Sequence, residues 1–488
     1  MLSRYDGSGV PGSLVGAQFP HLCRETLLTG TAASPPRPGP PSRLWYPAFT
    51  LSLRRFLATE VGSGVLLIGA TALALLWANS PWSGSYEQLW STEAGIRLGS
   101  AELTLDLRHW VDDGLMTLFF LVVGLEVTRE VTVGELRDRR TVRVPVLAAL
   151  GGMILPAVIY LAVNAGGAGV RGWGVAMATD IAFVLGALAL LGPRCPDQLR
   201  LFLLTVAIVD DIGAILVIAV FYSDDVSLPA VLASGLLVAA LVGLRWIRVW
   251  RSPAYVLVGL ALWFAVLQSG VHATIAGVLI GLLVSTRVPS ASGEAGPYAR
   301  ALDEDTTPER ARLAQMAASA TVSPNERMQH SLHPWTSYLV IPLFALANAG
   351  VRLDGETLRA AVTSPVTIGI VLALVLGKSI GITGSTLLAL RLRLGVLPGT
   401  IMRGQLIGGA TLAGIGFTVA LFITDLAFPD PALRDQAVVG VLSGSLLAAL
   451  LGWAVFRFLG DRGGVCAPPG DEEDVPTLPS RPWYEPAM

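Results

Sequence analysis

Two aspartates in succession, Asp210 and Asp211, stand at the centre of the apolar run LTVAIVDDIGAILVIAV. A charge near the middle of a hydrocarbon layer costs several kcal/mol, about 2.5–3.5 on insertion scales, so each such residue calls for a reason. Adjacent helical residues point about 100° apart, so one carboxylate of the pair can face an ion while the other faces a cation on a second helix. Lys378, in LVLGKSIGITG, is a lone ammonium in an apolar, Gly-rich run. Its partner is one of these aspartates, and a charge held only while that partner is ionised suits proton coupling; a static salt bridge is the plainer alternative. Asp180, in ATDIAF, follows Thr179 and suits either an ion site or a buried cap facing a positive helix end. Asp113, Glu126 and Glu130 share one helical segment, with the two glutamates on one face. They read as a funnel for cations and protons, or as a solvated helix end paired with Arg129 and the basic group from Arg137 to Arg143.

The elements that must position these residues are apolar helices. The 488-residue chain is 53% hydrophobic and 14% charged, with mean hydropathy +0.62. Soluble globular domains carry about 25% charged residues, so the composition indicates an all-α polytopic membrane protein. Apolar runs long enough to span a bilayer recur between residues 56 and 459, about twelve in all. The segments that carry the charges are 110–128, 173–192, 199–222 and 365–390. Basic residues fall in alternating loops, which places both termini in the cytoplasm, and the preference for Arg over Lys suggests a bacterial genome and hence a bacterial inner membrane. A net charge of −2 with no basic stripe excludes nucleic acid as a partner. Cys23, Cys195 and Cys466 form no motif spacing, so neither a disulfide framework nor a zinc site is implied, and no cofactor is expected.

The organisation read from these patterns is a disordered extension at 1–49, a transmembrane domain at 50–459 with an internal cytoplasmic loop at 288–330, and a disordered tail at 460–488. The long loop has room for a short surface helix. Between the first two spans, residues 96–107 alternate apolar and polar around Gly99-Ser100, which predicts a β-hairpin. Its exposed edge offers pairing to a second copy, giving a homodimer, or serves as a local lid.

Helices 3–5 and 10–12 look like two copies of a three-helix unit displaced by seven helices, an odd number that inverts one copy in the membrane. Their middle members are 173–192, with Thr179-Asp180, and 402–427, with Gly408, Gly409, Gly414 and Gly416. Both are candidates for interruption, since broken helices at matching places of inverted repeats mark midplane ion sites in secondary transporters.

The motifs FFLVVGLEVTRE, ATDIAF, AIVDDIGAI, SGVHATIAG, LHPW, PLFALANAG and GIGFT resemble the NhaA family of sodium/proton antiporters over residues 50–459. That family is among those from which the inverted-repeat rule was drawn, so the symmetry is not separate support. The resemblance implies electrogenic, pH-regulated export of Na+, with Li+ as a second cargo, in exchange for protons by alternating access. It implies that Na+ and protons compete at Asp210 and Asp211, with Asp211 the nearer to the ion and Lys378 paired with Asp210. Asp180 and Thr179 match the site beside the crossed helices, and Gly414 and Gly416 the second break. Asp113, Glu126, Glu130, His272, His330 and His333 match the funnel and pH-response positions. The match is imperfect in ERMQHSLHP, where Gln329 and Glu326 replace a family acid and base.

Three rival classes fit less well. A sodium-coupled organic-anion symporter would need a polar substrate pocket, and no such excess of polar residues is present. An intramembrane aspartyl protease needs its two aspartates on facing helices, and Asp210 and Asp211 are adjacent, so no enzyme is read here. A channel leaves Lys378 without a role.

Overall fold

The computed structural model describes residues 60–458 apart from 99–100, 135–141, 192–196, 224–226, 248, 250–251, 289–295, 306 and 398–400. The expected terminal extensions, Cys23, Cys195, Cys466 and the hairpin turn Gly99-Ser100 lie outside the described residues.

The chain is mostly helical, and the helices that build the site are α1 (Glu60–Ala78), α2 (Met116–Thr132), α3 (Arg143–Val163), α4 (Ile181–Leu191), α5 (Asp197–Phe221), α6 (Leu228–Trp246), α7 (Thr274–Leu283), α8 (Pro324–Trp335), α9 (Ile341–Asn348), α10 (Pro365–Leu372), α11 (Lys378–Arg391), α12 (Arg403–Leu412), α13 (Phe417–Ala427) and α14 (Pro431–Phe458). Among the described residues five helical stretches are long and apolar enough to cross a membrane, or seven if each bent pair is one span. Their outer faces are apolar rather than charged: on α6, Leu232, Leu236 and Trp246 are all exposed. Such a surface is at home in lipid and not in water.

Both interruptions expected from the sequence are present. Before α4 the chain runs as a 3-10 turn at Ala168–Gly174, then a short turn and an extended piece through Thr179 and Asp180. Between α12 and α13 the helix breaks after Leu412 and resumes at Phe417, with a bend of 43°. Glycine is required at this second break by close approach. A Cβ on Gly414 would sit 2.4 Å from the Leu374 carbonyl oxygen, and one on Gly416 would sit 2.9 Å from that of Ala178.

Three apolar runs contain a π-helical turn: Trp110–Leu115 before α2, Thr336–Val340 between α8 and α9, and Ala373–Gly377 between α10 and α11. Each such turn adds a residue and rotates the next stretch of helix relative to an unbroken α-helix. Hydropathy does not reveal the turns. The last of them immediately precedes Lys378.

Two sequence readings are corrected. The hairpin pairs β1 (Glu93–Leu98) with β2 (Ala101–Asp106), so it starts before residue 96 and ends before residue 107. It ends there because the Asp106 side chain accepts from the His109 N–H at 2.7 Å and caps a helical turn beginning at Leu107. The stretch 288–330 is more than a loop with one short helix: it carries helices at Gly296–Glu304 and Pro308–Ala320 and the first part of α8. A capping box starts α8, where Ser323 Oγ accepts the Glu326 N–H at 3.2 Å and the Ser323 N–H donates to Glu326 Oε2 at 3.3 Å. His330 and His333 therefore sit on a helix.

Candidate ion-binding site

The two interruptions meet. The Asp180 N–H donates to the Ile415 carbonyl at 2.7 Å, and the Thr179 hydroxyl lies 3.0 Å from the Ala413 carbonyl. Both oxygens of Asp180 are engaged: Oδ1 accepts from the Phe183 N–H at 3.1 Å, and Oδ2 from the Thr418 N–H at 3.0 Å and the Thr418 hydroxyl at 2.7 Å. One carboxylate thus caps the first turns of α4 and α13, where orphaned N–H groups and two helix dipoles present positive ends.

Lys378 and Asp210 are wholly buried, with no side-chain surface exposed on either. Lys378 Nζ donates to Asp210 Oδ2 at 2.5 Å and to Thr179 Oγ1 at 3.0 Å. Thr179 Oγ1 also lies 2.8 Å from Asp210 Oδ2, so its single proton serves either that carboxylate or the Ala413 carbonyl. Three parts of the chain are tied at this point: α5 through Asp210, the first interruption through Thr179, and α11 through Lys378.

Asp211 points elsewhere, as adjacent helical residues must. It lines a cavity of about 690 Å³ whose walls include Ser63, Glu126, Thr179, Asp180, His330, His333 and Thr418. Among the described residues, Oδ1 of Asp210 and Oδ1 of Asp211 accept no hydrogen bond. A hard carboxylate oxygen of Asp211 beside this cavity suits a small hard cation.

The expected funnel set is divided. Glu126, His330 and His333 face the cavity together, and half-buried Glu130 follows one turn beyond Glu126. Asp113 lies in the π-turn before α2, with about 20 Å of helix rise between it and Glu126. His272 belongs with Asp113, since the two are in electrostatic reach, and its Nε2 lies 2.6 Å from the Tyr222 carbonyl.

A second charged group was not anticipated from the sequence. Arg434 Nε donates to Asp425 Oδ1, and its Nη2 to Asn348 Oδ1 at 3.2 Å. Asn348 Nδ2 in turn donates to Asp112 Oδ1 at 2.6 Å. Asp425 and Arg434 stand close to apparent helix ends in the sequence, where charges are ordinarily solvated, so only Asp425 within ALFITDLAF offered a signal.

Interrupted helices crossing beside buried charges in an apolar helical bundle are the arrangement of ion-coupled secondary transporters. Residues 54–456 match the family described as Na+/H+ antiporter 1, and the chain belongs to that family. It is 56% identical over 458 residues to a Na+/H+ antiporter NhaA of Frankia alni, covering 93% of this chain and 99% of that one. It is 48% identical over 407 residues to one from Mycolicibacterium vanbaalenii, covering 82% of this chain and 65% of the relative. A Salinispora arenicola antiporter is 46% identical over 420 residues, with 85% and 63% covered.

Proposed function

We propose that the chain exchanges Na+ for protons by alternating access, electrogenically and under pH control, with Li+ as a second cargo. The reading rests above all on one observation: Asp211 faces the cavity while its neighbour Asp210 is held by Lys378 and Thr179. Na+ wants oxygen ligands, so an ionised Asp211, with Asp210 behind it, binds the ion, and protonation releases it. A proton reaching Asp210 removes the anion that holds the Lys378 ammonium, and Lys378 keeps its own proton and changes partner, so the protons on Asp210 and Asp211 are both net uptake. More than one proton then moves per cation, and voltage drives the exchange along with the pH gradient. Asp180 supports the reading by holding the two half-helices at fixed geometry, and Glu126, His330 and His333 by placing titratable groups on the cation's route.

The proposal extends to a domain at 50–459 with about twelve spans in inverted repeats, both termini in the cytoplasm of a bacterial inner membrane. It also includes a homodimer through the hairpin of β1 and β2. Deleting those residues is expected to yield monomers in detergent, and an unchanged dimer rules the contact out.

The test of function is the pH gradient of sealed vesicles on adding Na+, between pH 6.5 and 8.5, for the unmodified protein and Asp211→Asn. Collapse of the gradient by Na+ in the unmodified protein alone is the expected result. No collapse with any alkali cation overturns the proposal and favours a symporter.

A further inference from the structure

Three elements carry the same order of residues. On the segment leading into α2 it is Glu126, Phe120, Asp112; from α9 it is Ile341, Phe344, Asn348; on α13 it is Thr418, Phe422, Asp425. The first member of each set lines the cavity. The second members are all at most 3% exposed and meet one another, with ring centroids 5.3 Å apart for Phe120 and Phe422 and 6.3 Å for Phe344 and Phe422. The third members are joined by Arg434 of α14, directly to Asp425 and Asn348 and through Asn348 to Asp112.

The arrangement is therefore layered: a polar cavity, an aromatic floor about one turn deep, and an ionic bridge on the far side. The bridge and the cavity mouth lie at opposite ends of the same helices. We infer that Arg434 is a gate residue, which holds α13, α9 and the Asp112 turn together and keeps the cavity shut on the face away from Glu126 and His330.

The inference rests on the alternating-access reading above, because a gate matters only if the far face opens during transport. For the far face to open, the aromatic rings must part, and α13 cannot move away from α9 while Arg434 is bound to both. Arg434 also stands in the right place to report to the site, since α13 is the helix whose first turn Asp180 caps. Moving its Asp425 end tilts its Thr418 end against Asp180. A guanidinium suits this task because its fork of donors reaches two acceptors at once, which an ammonium does less well.

The test places a single cysteine at Val419, on the cavity wall, with Cys23, Cys195 and Cys466 replaced by serine. A membrane-impermeant thiol reagent is applied to sealed vesicles of either orientation, without a sodium gradient. With Arg434 intact, labelling is expected only from the mouth face. Arg434→Ala is expected to raise labelling from the far face at least about tenfold, the shift given by about 1.4 kcal/mol between two states. Arg434→Lys is expected to restore part of the barrier. If Arg434→Ala does not accumulate, Asn348→Ala serves as the second variant, since it breaks the link to Asp112 while Arg434 stays paired with Asp425. Unchanged far-face labelling in variants still labelled normally from the mouth overturns the gate. Labelling needs no ion exchange, so failure of the antiporter reading and failure of the gate are told apart.

Discussion

The two interruptions solve the same problem by opposite means. Breaking a helix inside a bundle frees backbone groups that must find partners. The first break brings side chains: Thr179 bonds Lys378 and Asp210, and Asp180 caps two helices. The second brings almost only backbone, the carbonyls of Ala413 and Ile415 and the bare turns at Gly414 and Gly416. One supplies donors, acceptors and charge; the other supplies closeness. A crossing built this way is stiff on the side-chain half and exacting in space on the glycine half, and the two halves should fail differently.

The largest effect is expected at the charge that the first break holds. Lys378→Ala leaves Asp210 buried without its cation, which costs about 3–5 kcal/mol by analogy with other broken buried pairs. Thermal unfolding in detergent is expected to show that loss. Lys378→Met combined with Asp210→Leu is expected to recover much of it while abolishing exchange, and a double variant no more stable than the single one would show that the pair is not the cause.

Next is Asp180→Ala. Caps are worth about 0.5–2 kcal/mol each, and two helices lose theirs here. Hydrogen exchange at the Phe183 and Thr418 amides is expected to quicken accordingly, and unchanged exchange would mean that water replaces the carboxylate at little cost.

Gly414→Ala tests the other half. Its Cβ would meet the Leu374 carbonyl, so overpacking of about 1–3 kcal/mol is expected, with the hydrogen bonds at Asp180 retained. If this variant instead loses protection at Thr418, the two breaks are one unit rather than two.

The smallest effect lies outside the crossing, at Asp354. Its carboxylate accepts the Thr357 N–H at 2.7 Å, which holds it below the usual aspartate range. A lowered value contributes stability above the unfolded value, near 3.9, and that contribution is lost as pH falls through the folded value. Amide protection in Gly355–Thr363 is expected to drop below about pH 4 in the unmodified protein, and to be flatter in Asp354→Asn, since Asn caps without titrating.

The difference between the breaks also explains what the sequence made legible. Asp210, Asp211, Asp180 and Lys378 stand out because charge inside an apolar run is rare; in the fold Lys378 bonds Asp210, while Asp211 and Asp180 line the cavity. Gly414 and Gly416 were readable as a break, though not the carbonyls that press on them. The three π-turns were invisible, because an inserted residue leaves hydropathy unchanged while rotating the next helix. Asp113 was grouped with Glu126 because both lie in one run, and helix rise then separates them. The bridge at Arg434 was missed for a related reason: Asp112, Asn348, Asp425 and Arg434 come from four elements, and only the fold brings them together. Ser323 and Glu326 form a capping box whose Ser-x-x-Glu spacing is legible in the sequence.

Lys378 is the only lysine in 488 residues, and no part of its side chain is exposed. Apart from the terminal amine, the molecule therefore has one primary amine, located at its centre. Reagents that acylate amines become reporters of how often the middle of this protein is reached by solvent, with no engineered residue needed. A protease cutting after lysine alone would have one site in the chain and would find it closed in the folded state.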